Sequence, residues 1–242
     1  MKKIFEKHET AACILLIVLY VVLNSYCLQN FGTTDYRSVL INTVFSICLI
    51  FIMITLKKTS YYGLSMVKDC RKYLYFVPLL LIMTVNLWCG IHINNTRSEI
   101  VFHVLTMINV GFIEEIIFRG FLFRMMEKDN LKRAMVVSAL TFGIGHIVNL
   151  LNGAEFIPTM LQICYAVSIG YLFVVIFYKS KSLVPCIITH MVVNATSIIS
   201  GDNEVMSYIS SAFLIIVPIA YVIYLNKREK NKTQRASTLK KE

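Results

Sequence analysis

Five ionisable side chains lie inside segments of this chain that are otherwise apolar: Glu114, Glu115, Arg119, His146 and His190. An ionisable side chain at membrane depth costs about a few kcal/mol, so each is a candidate for function. Residues four apart share a helix face, and Glu115 can therefore pair with Arg119. Glu114 is rotated away from that pair by about 100°. The spacing predicts a structural ion pair beside a glutamate that has no ionic partner.

That glutamate, Glu114, has the chemistry of a general base. A carboxylate in a partly dry, apolar site binds a proton more readily than one in water, which suits it to deprotonate a water molecule. Each histidine has a residue one helical turn away, Phe142 before His146 and Asn194 after His190. Buried polar groups need polar neighbours, so we expect the histidines and the glutamate to line one cavity. Their depth, counted at about 1.5 Å per residue, predicts that the cavity opens toward the cytoplasm.

The elements that position these residues follow from composition. The 242 residues are 57% hydrophobic and only 16% charged, with a mean hydropathy of +0.66, which excludes both a water-soluble globular domain and a disordered chain. A spanning helix needs about 20 mostly apolar residues. We predict an all-α, polytopic membrane helical bundle of about eight transmembrane helices, the first retained and not a cleaved signal peptide. The predicted spans are residues 10–30, 38–56, 73–93, 101–125, 134–151, 160–178, 183–200 and 205–225.

Lysine and arginine predict the orientation, because positive residues in short loops stay in the cytoplasm. With the N-terminus inside, all but three of the 24 basic residues fall in inner segments. The exceptions are Arg37, Arg97 and Arg119. We therefore predict a multi-pass protein of the cell membrane with both termini cytoplasmic, whose net charge of +10 reflects the membrane and not nucleic acid. Its parts would be a three-helix region (1–100), a catalytic helical core (101–225) and a basic cytoplasmic tail (226–242).

Other reactive side chains carry no signal for a site. The seven cysteines are scattered and include no C-x-x-C pair, so they predict neither a disulfide framework nor a zinc motif. Three histidines lie at the edges of spans or in the N-terminal arm, where no catalytic role is expected: His8, His92 and His103.

Three motifs in this chain resemble a known family. They are E-E-x-x-x-R at 114–119, F-x-x-x-H at 142–146 and H-x-x-x-N at 190–194, in this order on three predicted spans. Together they resemble the CPBP intramembrane proteases, which comprise the CAAX prenyl proteases and the bacteriocin-processing or Abi-type proteins. The resemblance covers about a third of the chain. It implies an intramembrane endopeptidase, a peptide hydrolase.

The resemblance also implies a role for each motif position. Glu114 with His146 would hold and deprotonate the attacking water. His190 and Asn194 would stabilise the tetrahedral oxyanion, a contribution of roughly 3 to 4 kcal/mol for one donor. The supporting positions would be Glu115, Arg119 and Phe142.

A zinc site is the alternative to a metal-free mechanism. Zinc could be held by Glu114, His146 and His190, with an open position for water. However, the sequence has no H-E-x-x-H motif, and each candidate ligand comes from a different span. We therefore expect a water molecule activated by glutamate, without a metal or other cofactor, and keep zinc as the alternative.

The predicted function is cleavage of a membrane-associated peptide or protein near the cytoplasmic leaflet. The expected partners are that substrate and the lipid bilayer, without nucleic acid; the sequence gives no oligomeric state. A composition rich in isoleucine, lysine and asparagine suggests a Gram-positive bacterium, in which the enzyme would mature a quorum-sensing signal or a bacteriocin, or provide self-immunity. The alternatives are a non-catalytic membrane scaffold or immunity factor, and a proton-relay transporter.

Overall fold

The computed structural model describes residues 5, 7–67 and 76–238, the last ten of these by their backbone alone. Within these ranges the chain is a bundle of helices, which confirms the predicted all-α polytopic architecture. Some residues discussed above lie outside the described part of the chain: Cys70, the basic residues at 68, 71 and 72, and the end of the tail at 239–242. The six described cysteines are free thiols.

The α-helices are numbered here in chain order. They are α1 (Glu9–Asn30), α2 (Tyr36–Thr55), α3 (Val77–Ile82), α4 (Arg97–Glu115), α5 (Arg124–Met126), α6 (Leu131–Gly145), α7 (Val148–Leu151), α8 (Phe156–Ser180), α9 (Val184–Thr196) and α10 (Glu204–Thr238). A π-helical segment, Ile116–Phe123, joins α4 to α5. Single 3-10 turns follow α3 at Val85–Leu87 and α9 at Ser197–Ile199.

Among the described residues, six helices or continuous helical runs are long and apolar enough to cross a membrane, and they match six of the eight predicted spans. They are Glu9–Asn30, Tyr36–Thr55, Arg97–Met126, Leu131–Leu151, Phe156–Ser180 and Glu204–Arg228. Large apolar side chains such as Leu15, Phe51 and Ile216 are more than half exposed on their outer surfaces. A soluble protein would not leave so many exposed in continuous rows, whereas lipid covers them. The protein is therefore a multi-pass membrane protein.

Two predicted spans are shorter apolar helices in the structure: Val77–Leu87 and Val184–Ile199. The start of the first, residues 73–75, lies outside the described residues. Its helix is interrupted at Thr84, whose hydroxyl donates to the carbonyl of Leu81 at 2.8 Å and accepts from the indole nitrogen of Trp88 at 3.1 Å. Side-chain bonds of this kind compete with the helical backbone ladder. Hydropathy alone could not reveal this interruption.

The run from α4 through the π-helical segment lies at the centre of the bundle. It packs against α1, α2, α6 and α9. Every residue of the π-helical segment is buried. π-helical turns are uncommon and occur often at functional sites. Here the segment begins directly after the two glutamates and contains Arg119.

The two ends of the bundle differ in charge. At one end Glu9 of α1 forms an ion pair with Lys128 of the α5–α6 loop. The Leu183 amide donates to the Gly63 carbonyl at 2.9 Å, which brings the segments after α2 and α8 to the same end. We call this end the basic face; its described basic residues include Lys57, Lys58, Lys128, Lys132, Arg133, Lys179 and Lys181.

The other end of the bundle, which we call the opposite face, carries the α1–α2 turn and the segments before α4, α8 and α10. There the Gln29 side chain donates to Asn152 at 2.9 Å, and the Gly201 amide donates to the Gly90 carbonyl at 2.9 Å. Arg37 and Arg97 lie at this end. The described lysines and arginines are therefore concentrated on one face.

Candidate active site

A buried ion cluster forms around Glu115. Arg119 Nη1 donates to Glu115 Oε1 at 3.1 Å, and both side chains are fully buried. His190 Nδ1 of α9 lies 2.9 Å from the same oxygen. The Arg119 guanidinium also lies 4.0 Å from the centroid of the Phe142 ring, a cation–π arrangement. The expected ion pair is thus present, and it extends to a histidine from another helix.

Glu114 has partners on other helices. The Tyr20 hydroxyl of α1 donates to Glu114 Oε1 at 2.7 Å. His190 Nε2 lies 3.4 Å from Glu114 Oε2, and these two side chains are 12% and 13% exposed. The contact with His190 agrees with the expectation that the glutamate and the histidines meet. Tyr20 was not predicted, because helical phase compares residues within one helix and this partner comes from another. One imidazole therefore bridges the two adjacent carboxylates.

Glu114 and His146 line the same cavity, which has a volume of about 50 Å³. That is room for a few water molecules. The buried rings of Phe118 and Phe142 form its floor. His146 Nδ1 lies 3.1 Å from the Phe142 carbonyl oxygen, which can only accept. In a neutral ring this hydrogen bond places the proton on Nδ1 and leaves Nε2 as an acceptor.

The Phe142 ring fixes both imidazoles by edge-on contacts. Its centroid lies 5.1 Å from that of His146 and 5.7 Å from that of His190, with interplanar angles of 84° and 88°. Edge-to-face packing of this kind is the preferred geometry for aromatic pairs. Phe142 therefore orients the two histidines as well as covering the arginine.

Two glycines allow this close packing. A Cβ atom at Gly111 would lie 3.0 Å from the backbone nitrogen of Met191, the neighbour of His190. A Cβ atom at Gly170 of α8 would lie 2.7 Å from Arg119 Nη2. Side chains at these positions would displace α9 or the guanidinium. The glycines thus set the distances within the ion cluster.

Asn194 lies one turn after His190, but its side chain does not line the described cavity. Its backbone carbonyl accepts from Ser197 Oγ at 2.7 Å and lies 3.2 Å from His103 Nε2. His103 is buried and its Nδ1 lies 3.0 Å from Thr33 Oγ1. The structure therefore brings the predicted site residues together except the Asn194 side chain, although His190 contacts Glu114 without lining the described cavity. It gives His103 a structural position between α9 and the α1–α2 turn.

The cavity extends toward the opposite face, and this differs from the sequence expectation. Its α1 lining runs from Tyr20 to Ser25, in the half of the helix that ends at Asn30. Across from α1 it is lined by Asn149 and Asn152, at and after α7. Counting residues from the ends of the spans gave the approximate depths of Glu114, His146 and His190 in the membrane. It could not show toward which face of the bundle the polar lining of the cavity continues.

The contribution of α1 was missed in the sequence analysis. Tyr20, Asn24 and Ser25 all line the cavity. A signal was available, because Tyr20 and Asn24 are four residues apart and share one face of an otherwise apolar helix. Polar side chains on one face of a spanning helix usually point into the bundle.

A zinc ion at this site would need ligands that are engaged with other groups in this structure. Within the described ranges no three His, Cys, Asp or Glu side chains are grouped closely enough to hold a metal ion. Both nitrogens of His190 face carboxylates, and one nitrogen of His146 faces a backbone carbonyl. No step below is therefore assigned to a metal.

We expect Tyr20→Phe to slow turnover by about 10- to 100-fold, because a hydrogen bond to a charged group is worth about 1.5 to 3 kcal/mol. The substitution removes the hydroxyl that donates to Glu114 and keeps the ring packed against Phe45. Initial rates with saturating substrate would measure the effect. Tyr26→Phe, which alters an exposed tyrosine on the same helix, is the matched control. An unchanged rate in Tyr20→Phe would remove this tyrosine from the site.

Fold and site together define a class: a multi-pass helical membrane protein whose interior carries a carboxylate and histidine pair around a small cavity. Such pairs activate water in hydrolases.

Comparison with known proteins gives one family to which part of the chain is similar. Residues 96–196 match the family model described as Rce1-like, type II CAAX prenyl endopeptidase. This segment is thus similar to the CAAX prenyl endopeptidases, and the resemblance inferred from the motifs is confirmed. The match covers less than half of the chain, from the start of α4 to the end of α9, and leaves α1 outside. No curated protein and no solved structure is significantly similar to the chain.

Proposed function

We propose that this protein is an intramembrane endopeptidase in which Glu114 and His146 activate a water molecule. The observation that carries the proposal is that both side chains line one cavity with room for water. Both also lie within the segment that matches a family of proteases. The expected reaction is hydrolysis of an amide bond in a peptide that has entered this cavity.

In the proposed reaction a carboxylate oxygen of Glu114 takes a proton from the water. At the same time the water oxygen bonds to the scissile carbonyl carbon. Nε2 of His146 accepts a hydrogen bond from the same water and orients it. Glu114 then returns the proton to the amide nitrogen as the carbon–nitrogen bond breaks, so the base becomes the acid. The Tyr20 hydroxyl holds Oε1 in place and thereby limits the orientations of the carboxylate.

The charge that develops on the carbonyl oxygen needs a donor. His190 is the best placed, because Glu115 holds its Nδ1 and its Nε2 faces the Glu114 carboxylate. Arg119 holds Glu115 in turn. We propose Asn194 as a second donor, one turn along α9, whose side chain would turn toward the substrate when it binds. Glu115 and Arg119 position His190 and do not line the cavity, whereas Phe142 orients both histidines and forms part of the cavity floor.

We propose a membrane-associated peptide or protein as substrate, in the maturation of a peptide signal or bacteriocin or in self-immunity. Peptidomics of a strain carrying Glu114→Ala against its parent tests this, and an uncut precursor should accumulate. A phenotype that survives Glu114→Ala, His146→Ala and His190→Ala would instead favour a non-catalytic scaffold, for which the buried ion cluster would serve packing alone.

We expect cleavage to proceed without a metal ion. The purified protein should keep its rate after treatment with a strong zinc chelator, because the site residues are already engaged with one another and with the backbone. The measurement is the initial cleavage rate before and after dialysis against the chelator. Loss of activity that zinc alone restores would show that the histidines and Glu114 rearrange around a metal.

A further inference from the structure

We propose that the cavity is entered from the extracytoplasmic side of the membrane, through an amide-lined entrance made by Asn24, Ser25, Asn149 and Asn152. The enzyme would then cut exported, membrane-anchored peptides in the outer half of the bilayer. The cleavage itself rests on the function proposed above, whereas the side of entry rests on separate observations.

The first observation is that the cavity is closed toward the basic face. Phe118 and Phe142, which form its floor, are 4% and 5% exposed. On that side the π-helical segment is buried throughout. The ring of Tyr62, from the segment after α2, packs on Phe121 with centroids 4.4 Å apart. These buried, closely packed side chains lie between Glu114 and the basic face and disfavour entry of a peptide backbone from that side.

The second observation is that the entrance is polar and has an unused donor. Asn152 accepts from Gln29 at 2.9 Å, and Asn149 donates to Gln162 at 2.8 Å. The Asn152 Nδ2 atom is buried and has no hydrogen-bond partner among the described residues. A buried donor without a partner is costly, and a peptide carbonyl would satisfy it.

The chemistry of these four residues indicates what enters. Amides and hydroxyls both donate and accept, as peptide groups do, and none of the four carries a charge. They suit the backbone of an extended segment with small, uncharged side chains near the scissile bond. A lysine- or glutamate-rich segment would have to leave its charge unpaired at this depth, which is unfavourable.

The third observation is the charge asymmetry of the bundle. The basic face carries Lys57, Lys58, Lys128 and other basic residues, whereas the opposite face has Arg37 and Arg97 among its described residues. Basic loops are retained in the cytoplasm. Since the cavity extends toward the opposite face, its entrance would lie outside the cell.

Cysteine labelling tests the side of entry without using activity. The background would be the full chain with the three more accessible described cysteines, Cys48, Cys89 and Cys164, changed to serine. Ser25→Cys marks the entrance, and Lys132→Cys, on an exposed residue of the basic face, is the matched control. A membrane-impermeant maleimide is applied to intact cells and to inverted vesicles.

In intact cells we expect labelling of Ser25→Cys and none of Lys132→Cys, with the reverse in inverted vesicles. Labelling of both from the same side, of Ser25→Cys from the cytoplasmic side, or of Ser25→Cys from neither side would each overturn the proposal. Asn149→Cys is the second variant if Ser25→Cys fails to accumulate in the membrane. Expected labelling without any cleavage of exported peptides would overturn the proposed protease and leave the side of entry standing.

Discussion

Glu114→Gln is expected to lower the cleavage rate by at least about 100-fold, since general acid–base catalysis contributes about 10²- to 10⁴-fold. Glutamine has the same shape and can still accept from Tyr20, but it cannot take a proton from water. The loss should appear in kcat, with KM nearly unchanged, because the substitution removes chemistry and not a wall of the cavity. The measurement is steady-state cleavage of the precursor by purified protein in liposomes.

The matched control for this experiment is Glu204→Gln, which changes an exposed carboxylate at the start of α10. It should keep the wild-type rate. Both variants should unfold at the same temperature as the parent, which separates lost catalysis from lost structure. If Glu114→Gln retained a rate within a few-fold of the parent, another group would have to be the base.

Arg119→Met is expected to destabilise the folded protein by about 3 to 5 kcal/mol, the cost of removing one partner from a buried ion pair. Glu115 would remain fully buried without its arginine. Cleavage should fall as well, because Glu115 would no longer be held where it meets His190 Nδ1. Unfolding in detergent, followed by tryptophan fluorescence or proteolysis, measures the stability.

The double variant Glu115→Gln with Arg119→Met distinguishes charge from packing. It removes both ions, so most of the lost stability should return. Activity should not return, since His190 would still lack its carboxylate. Arg37→Met, in the exposed pair with Asp35, is the matched control and should change stability little. If the double variant were as unstable as the single one, packing of the guanidinium on Phe142 would be the dominant contribution.

The features that could be predicted from the sequence are those that depend on a single helix. Long apolar runs predicted the spanning helices, and i, i+4 spacing predicted the pair of Glu115 with Arg119. The motif order was enough to indicate the family. These are local patterns, and they remain visible in a single chain without knowledge of how the helices pack.

Contacts between distant helices were not predicted. Tyr20 and Glu114 are 94 residues apart, and nothing in either segment specifies that they meet. The π-helical segment was also missed, because its residues have the same apolar composition as an α-helix. Similarly, the direction of the cavity depends on which polar residues of α1 and α7 face each other, and only the packed bundle decides that.

One wall of the cavity is built by α1, which precedes the segment that matches the family model, while the ion cluster lies within that segment. Part of the cavity is therefore encoded outside the matching segment. Tyr20 ties this helix to Glu114, so a change in α1 at that position would alter the cavity wall and the carboxylate together. A fragment limited to residues 96–196 would lack that side of the cavity and the hydroxyl that holds Glu114.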